Sequence, residues 1–145
     1  MEKTIVLLKP DTVHRGLIGA ITARIENRGY KVIAMKMIQA SKELLTEHYG
    51  HLASKPFFPE IVSYMTSGPI VAMIVEGDGV IAGLRQLCGA TNPADAAMGT
   101  VRGDFANNIR FNLIHASDSA ETAAVEVKRF FKDEEVCAFD RIAID

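Results

Sequence analysis

The sequence predicts an α+β fold of the ferredoxin-like type, in which a four-stranded antiparallel sheet of order βαββαβ carries helices packed on one face. Three observations support this fold class. Four short apolar runs have the length of strands, segments with helical periodicity lie between them, and the chain runs strand–helix–strand, then helices, then strand–helix–strand. A doubly wound α/β fold is the alternative, but four strands are few for such a sheet.

The first half of the chain contains two predicted strands and three predicted helices. Thr4–Leu8 is an apolar, β-branched run that predicts a buried strand, and a Pro-Asp pair ends it. Leu17–Gly29 has apolar residues at helical spacing and a glycine where the helix should close. Tyr30–Gln39 predicts the second strand. Two helices follow, one over Ser41–Tyr49 with its serine as N-cap and one within Ile61–Pro69.

The second half supplies the remaining two strands of the sheet. Ile70–Val75 predicts the third strand, and an Asp-Gly turn leads into a helix over Val80–Leu87. Ala90–Asn108 is a long polar stretch that we interpret as a loop, and an ordered loop of this length in a small domain indicates function. Phe111–Ile114 predicts the fourth strand.

Length and composition indicate one domain without a bias toward charged partners. The chain has 145 residues, 48% of them hydrophobic, which predicts a single domain over residues 1–145 with a substantial core. A net charge of −2 gives no basic excess for nucleic acid. Cys88 and Cys137 have no metal-ligand spacing and predict reduced thiols. No signal peptide or membrane-length apolar run is visible, so we expect a cytoplasmic protein without membrane contact.

Familiar nucleotide-binding and zinc signatures are missing from the sequence. No GxxxxGK[ST] P-loop occurs. Gly77, Gly79 and Gly83 follow a strand and open a helix, but the third glycine of the dinucleotide fingerprint would fall at Ala82. We interpret these glycines as a tight turn and a packing position. No HExxH motif or paired Cys/His set predicts zinc.

His115 is the histidine whose surroundings indicate chemistry. It follows the predicted strand, and a helix opens directly after it, where Asp118 and Glu121 have the spacing of a capping box. Such a junction lies near the positive end of a helix dipole, where anions bind. A neutral imidazole can attack phosphorus, and Glu126 on the next helix is placed to fix its tautomer. From this segment alone, a structural histidine is the other interpretation. The remaining histidines are interpreted as surface groups: His14, His48 and His51.

The segment around His115 resembles a family signature. Residues 112–119 read N-L-I-H-A-S-D-S, which is similar to the active-site signature N-x-x-H-G/A-S-D-S of nucleoside diphosphate kinases. The resemblance covers nearly the whole chain and implies a single nucleoside diphosphate kinase domain over residues 1–145. Further matching segments follow in the family's order: Lys9–Asp11, Tyr49, Lys55–Phe58, Arg85, Gly89–Pro93 and Gly99–Phe105.

The resemblance implies an activity and a role for each matching residue. The activity is transfer of a γ-phosphoryl group from a nucleoside triphosphate to a nucleoside diphosphate, by a ping-pong mechanism with broad base and sugar specificity. His115 is the implied phosphohistidine, and Glu126 and Ser117 are implied to orient its imidazole. Lys9 and Tyr49 are implied to act beside the transferred group. The implied nucleotide-binding residues are Lys9, Phe57, Ile61, Arg85, Thr91, Arg102 and Asn112.

The resemblance also implies a metal ion and an assembly. Mg²⁺ is expected to arrive on the nucleotide phosphates, with Asp118 nearby through a water molecule, because Mg²⁺ keeps several waters and needs few protein ligands. A homo-oligomer is expected, either a tetramer or a hexamer built from dimers. Three residues depart from the family pattern: Ala116, His51 and Met98.

Two functions from other classes compete with phosphoryl transfer. A non-catalytic ferredoxin-like domain that binds a small metabolite would explain the fold, but not the set of His115, Glu126 and arginines. A nucleic-acid-binding domain conflicts with the near-neutral charge and with the absence of an aromatic RNA-binding motif. We therefore expect nucleoside di- and triphosphates as partners, and neither nucleic acid nor membrane.

Overall fold

The structure is a computed structural model that describes residues 1–141, so residues 142–145 of the predicted domain lie outside the described residues. None of the helices in this part of the chain has the length and apolar character that a membrane span requires. The strands and α-helices, in chain order, are β1 (Glu2–Leu8), α1 (Pro10–His14), α2 (Ile18–Asn27), β2 (Lys31–Ile38), α3 (Lys42–His48), α4 (Phe58–Met65), β3 (Ile70–Gly77), α5 (Val80–Cys88), α6 (Val101–Phe105), β4 (Ile114–Ala116) and α7 (Ala120–Phe130).

The four strands form one antiparallel sheet in the order β2-β3-β1-β4. This confirms the predicted ferredoxin-like arrangement and excludes the doubly wound parallel alternative for the described residues. β1 lies in the interior of the sheet and pairs with both β3 and β4. Leu7 of β1 stands opposite His115 of β4, so an interior strand of the sheet fixes the position of the candidate nucleophile.

The helices cover both faces of the sheet, and the expectation that they lie on one face is wrong. β1 shows why, because its side chains alternate between two separate cores. Val6 and Leu8 pack with residues of α2 and α5, whereas Ile5 and Leu7 pack with residues of α3, α4 and α7. Since both faces are buried, residues 5–8 of β1 and residues 70–75 of β3 are continuous apolar runs rather than alternating ones.

The fourth strand begins later than the sequence predicts. The predicted strand over Phe111–Ile114 is wrong, because pairing with β1 covers only Ile114–Ala116. Leu113 is the cause, since its backbone has a φ of +75°, a conformation that cannot continue a strand and that costs free energy for a residue other than glycine. Its carbonyl accepts from the backbone N–H of Lys9 at 2.8 Å and from Thr12 Oγ1 at 2.7 Å. His115 therefore lies within β4 and not after it.

Two further local predictions fail for reasons of hydrogen bonding. The last helix is capped by Ser119, whose Oγ accepts from the backbone N–H of Thr122 at 3.1 Å, so the capping role predicted for Asp118 is wrong. The polar stretch Ala90–Asn108 is not only loop, because it contains α6. Thr100 caps that helix by accepting from the backbone N–H of Gly103 at 3.0 Å.

The three glycines at the end of β3 have structural roles, as interpreted from the sequence. Gly79 has a φ of +64° and forms the turn before α5. A Cβ atom on Gly83 would stand 1.8 Å from the hydroxyl oxygen of Tyr30, and one on Gly77 would stand 2.7 Å from the Tyr30 ring. These positions let Tyr30 pack between α5 and the sheet, so no dinucleotide-binding role is needed to explain them.

Candidate active site

The centre of the candidate site is His115 held by Glu126. His115 Nε2 lies 3.1 Å from Glu126 Oε1 and 3.0 Å from Oε2. Burial opposes ionisation of this carboxyl, but its hydrogen bond and charge interaction with His115 outweigh burial and hold the pKa of Glu126 below its ordinary value. An ionised Glu126 accepts a hydrogen bond from the Nε2–H group, and Nδ1 is then the nitrogen with a free lone pair.

Ser117 acts on Glu126 and not on the imidazole. Its buried hydroxyl donates to Glu126 Oε1 at 2.6 Å, and no hydrogen bond joins it to His115 within the part of the chain that is described. The implied direct contact with the ring is therefore not found. Ser117 restrains the carboxylate that contacts His115, because a carboxylate that accepts a second short hydrogen bond loses freedom to rotate.

His48 is a site residue that the sequence interpretation missed. Its ring is only 4% exposed and packs edge-on against His115, with ring centroids 4.8 Å apart. Burial, followed by the neighbouring His115, lowers the pKa of His48 to about 3. The ring is therefore neutral, and Arg129 donates to its Nδ1 at 2.9 Å. His48 lies three residues after Leu45, and this spacing places both side chains on the buried face of α3. The spacing could have been recognised in the sequence.

Lys9 and Asn112 form a polar chain that leads away from the imidazole. Lys9 Nζ donates to Asn112 Oδ1 at 2.7 Å, and Asn112 Nδ2 donates to the carbonyl of Thr91 at 3.0 Å. Burial, followed by the charge of Arg102, lowers the pKa of Lys9 to about 8. Lys9 is thus charged at neutral pH. A bound anion would stabilise that charge further, as expected of a group in a phosphate site.

Arg102 is more deeply buried than its implied phosphate-binding role predicts. It is 3% exposed and donates to three backbone carbonyls, those of Asn112 at 3.1 Å, Gly89 at 2.8 Å and Ile114 at 2.5 Å. Further N–H groups of the guanidinium remain for a ligand. Arg85 is exposed on α5 and donates weakly to the carbonyl of Ala116 at 3.4 Å, which places it beside β4.

We expect the substitution Arg102→Met to lower the free energy of unfolding by about 3 kcal/mol or more, because it removes three hydrogen bonds that a side chain only 3% exposed donates to backbone carbonyls. Urea unfolding of both proteins measures the difference. The exposed Arg28 supplies a matched control, and Arg28→Met should stay within about 0.5 kcal/mol of the unmodified protein. Equal stability of the two variants would show that Arg102 has no structural role.

A cleft of about 990 Å³ opens beside this polar network. Five residues of the implied site line it: Lys9, Tyr49, Phe57, Ile61 and Thr91. Burial raises the pKa of the Tyr49 phenol, so that group is a neutral donor at the inner end. Other lining residues were not foreseen, and they include Glu60, Tyr64, Ile109, Arg110 and Phe111. Phe57 and Ile109 are 46% and 54% exposed, so the cleft presents apolar side chains to solvent.

The donor set decides what kind of metal ion the site could hold. In the described residues, the group with metal-ligating atoms within 4.8 Å of one another is His48, His115 and Glu126. Two imidazoles do not suit Mg²⁺, which prefers oxygen ligands. Asp118 is an exposed carboxylate close after His115 in the chain. These residues fit a site in which the phosphates of a ligand hold the metal ion, which is a hard cation. At most one carboxylate would lie near that ion.

Comparisons with known proteins identify relatives over nearly the full length. The family model described as nucleoside diphosphate kinase matches residues 2–136. The nucleoside diphosphate kinase of Methanothermobacter thermautotrophicus is 51% identical over 140 residues, which cover 97% of this chain and 93% of that protein. The enzyme of Thermus thermophilus is 51% identical over 136 residues, 94% of this chain and 99% of that protein.

Solved structures give the same result for the fold. The nucleoside diphosphate kinase of Halobacterium salinarum in complex with CDP superposes with a TM-score of 0.94 at 46% identity, covering 97% of this chain and 93% of that one. A nucleoside diphosphate kinase family protein from Babesia bovis superposes with a TM-score of 0.94 at 42% identity, covering 97% and 95% of the two chains.

Proposed function

The chain belongs to the nucleoside diphosphate kinase family, and we propose that His115 is the residue that carries the phosphoryl group between its two nucleotide substrates. The enzyme transfers a γ-phosphoryl group from a nucleoside triphosphate to a nucleoside diphosphate by a ping-pong mechanism, with broad base and sugar specificity. Members of this family use a divalent metal ion. We propose a single catalytic domain over residues 1–145.

The observation that carries the assignment is the contact between His115 Nε2 and Glu126, at 3.0 Å and 3.1 Å. In the first half-reaction, the lone pair of His115 Nδ1 forms a bond to the γ-phosphorus, and the bond from that phosphorus to the β-phosphate oxygen breaks. The diphosphate leaves with that electron pair. In the second, a β-phosphate oxygen of the acceptor forms a bond to phosphorus, the P–N bond breaks, and its electrons return to Nδ1.

Positive groups around this nitrogen are the proposed stabilisers of charge on the phosphoryl oxygens. Lys9, next to Asn112, faces the cleft, and Arg85 lies beside β4. Arg102 would contribute the N–H groups that its backbone contacts leave free. Thr91 and Asn112 would complete the phosphate and 3′-hydroxyl contacts, since the hydrogen bond between them at 3.0 Å fixes their relative position.

We propose that the metal ion is Mg²⁺, held by the nucleotide phosphates with Asp118 nearby through water. Bound there, Mg²⁺ supplies neutralisation of the developing phosphate charge. Support comes from the oxygen preference of Mg²⁺ and from the exposure of the Asp118 carboxylate. Tyr49 lines the same cleft and would donate a hydrogen bond to the nucleotide, because its phenol stays protonated.

Two remaining parts of the proposal concern assembly and location. A homo-oligomer, tetramer or hexamer built from dimers, would cover Met35 and Met37, which are 48% and 56% exposed on edge strand β2. Light scattering of the purified protein gives the subunit number.

A cytoplasmic location is supported by the free thiols of Cys88 and Cys137, which suit a reducing compartment.

Labelling tests the proposal directly. After incubation with γ-labelled ATP and Mg²⁺, the protein should hold label that is lost in acid and kept in alkali, as expected of phosphohistidine. Adding unlabelled GDP should move the label to GTP at once. An enzyme that exchanges phosphate but never carries label, or label that resists acid, would contradict a histidine intermediate.

A further inference from the structure

Two opposite charges meet at the mouth of the nucleotide cleft. Glu60 Oε2 and Arg110 Nη2 lie 3.6 Å apart, and both residues line the cleft. Glu60 is in the first turn of α4, whereas Arg110 is in the loop before β4, so the pair spans the opening from one wall to the other. Both side chains are exposed, Glu60 by 63% and Arg110 by 73%. Each can therefore release the other and bind a ligand instead.

The same two segments supply the apolar walls of the cleft. Phe57 directly precedes α4, and Ile109 directly precedes Arg110. The loop that carries Arg110 is braced by Phe111, whose ring stands edge-on to Tyr64 with centroids 5.3 Å apart. A base whose flat faces rest on Phe57 and Ile109 would therefore direct an edge toward the charged pair, because the pair lies between the same two segments.

We propose that Arg110 and Glu60 read the edge of the base and favour guanine over adenine; this inference rests on the proposed nucleotide-binding role of the cleft. Guanine offers two acceptors, O6 and N7, to a guanidinium fork, and its N1–H and 2-amino group can donate to a carboxylate. Adenine carries an amino donor where guanine has the acceptor O6. The amino group of adenine would therefore face the N–H donors of Arg110 with no acceptor between them.

The expected preference is modest because the pair is exposed to solvent. Water competes for both charges and salt screens them, so we expect about a threefold to tenfold preference for guanine rather than the larger factor of a buried bidentate contact. Such a preference leaves the broad base range of the enzyme intact. We also expect the preference for guanine to decrease as the salt concentration is raised from about 0.05 M to 0.5 M.

The test compares GDP, IDP and ADP in two measurements. The first is the rate constant for dephosphorylation of the pre-phosphorylated enzyme at low concentrations of each diphosphate. The second is the Kd of each diphosphate for the unphosphorylated protein, which reports base preference even if another residue than His115 carries phosphate. IDP keeps O6 and N7 but lacks the 2-amino group, so IDP should behave like GDP toward Arg110.

The variants Arg110→Gln, Arg110→Lys and Glu60→Gln separate the contributions. Arg110→Gln should remove the advantage of GDP and IDP over ADP, and Arg110→Lys should restore only part of it, because lysine keeps the charge but not the fork. Glu60→Gln should weaken GDP more than ADP. Lys3→Gln is the control for a lost positive charge, since Lys3 is 50% exposed and lies at the opposite end of β1, and it should leave the ratios unchanged.

Two results would overturn this inference. If Arg110→Gln changes the Kd values of all three diphosphates by the same factor, the pair only closes the cleft and reads no base. If the unmodified protein binds GDP, IDP and ADP equally well, Arg110 and Glu60 have no part in recognition. Both outcomes leave the labelling test untouched, so failure here is distinct from failure of the histidine mechanism.

Discussion

The substitution His115→Ala should lower phosphoryl exchange by about 10⁴-fold or more, because it removes the proposed nucleophile, the atom that would form the covalent bond to phosphorus. The side chain is partly exposed, at 23%, so its packing contributes little and the fold should persist. Exchange between ATP and GDP, thermal melting and ADP binding are measured on the same preparation. We expect a nearly unchanged Kd for ADP and no acid-labile label.

The exposed His14 of α1 provides the matched control. His14→Ala should keep both exchange and labelling, which shows that loss of any histidine is not sufficient. If His115→Ala retains exchange within about tenfold of the unmodified enzyme, the nucleophile lies elsewhere and the proposed mechanism is wrong.

Glu126→Gln should slow phosphorylation of His115 by about tenfold to a few hundredfold, because glutamine keeps the shape of glutamate but cannot accept from Nε2–H with an ionised oxygen. Single-turnover phosphorylation by ATP measures the rate. Because the proposed role of Glu126 is to position His115, the tautomer of His115 is the second readout. In the unmodified enzyme the proton should reside on Nε2, and in the variant the nitrogen NMR signals should show a mixture.

The dependence on pH gives Glu126 a further signature. Its pKa is lowered in the folded state, so the ionised form contributes stability above the ordinary carboxyl pKa, and that contribution disappears as pH falls through the lowered value. Glu126→Gln should abolish this part of the acid sensitivity. Glu121→Gln, an exposed change on the same helix, should alter neither rate nor tautomer. An unchanged phosphorylation rate in Glu126→Gln would mean that the carboxylate has only a structural role.

Local patterns were sufficient for three of the four strands of the sheet and for part of the site. β-branched and apolar runs predicted β1 and β3, because burial on both faces requires such runs wherever the pairing falls. The link between His115 and Glu126 was also foreseeable, since eleven positions separate them and a strand followed directly by a helix brings such positions together. The family signature indicated the reaction, in which His115 and Glu126 have proposed roles.

Contacts between distant segments decided the rest. No periodicity reveals that Leu113 has a left-handed backbone, because the hydrogen bonds of Lys9 and Thr12 to its carbonyl come from about 100 positions away. The burial of Arg102 depends likewise on carbonyls that the sheet and α5 bring to it. Packing of α4 against the loop before β4 creates the cleft and its charged mouth.

The sequence by itself was sufficient for the fold class, through its order of apolar and helical segments, and for the family and its reaction, through the resemblance of residues 112–119 to a known signature. The tertiary structure alone decided which groups surround the candidate site. His48 became a neutral neighbour of His115, and Glu60 and Arg110 became a pair across the cleft, although each looks like an ordinary polar residue in the sequence. The physical reason is that burial and electrostatic environment are properties of the assembled surroundings, and segments far apart in the chain supply those surroundings.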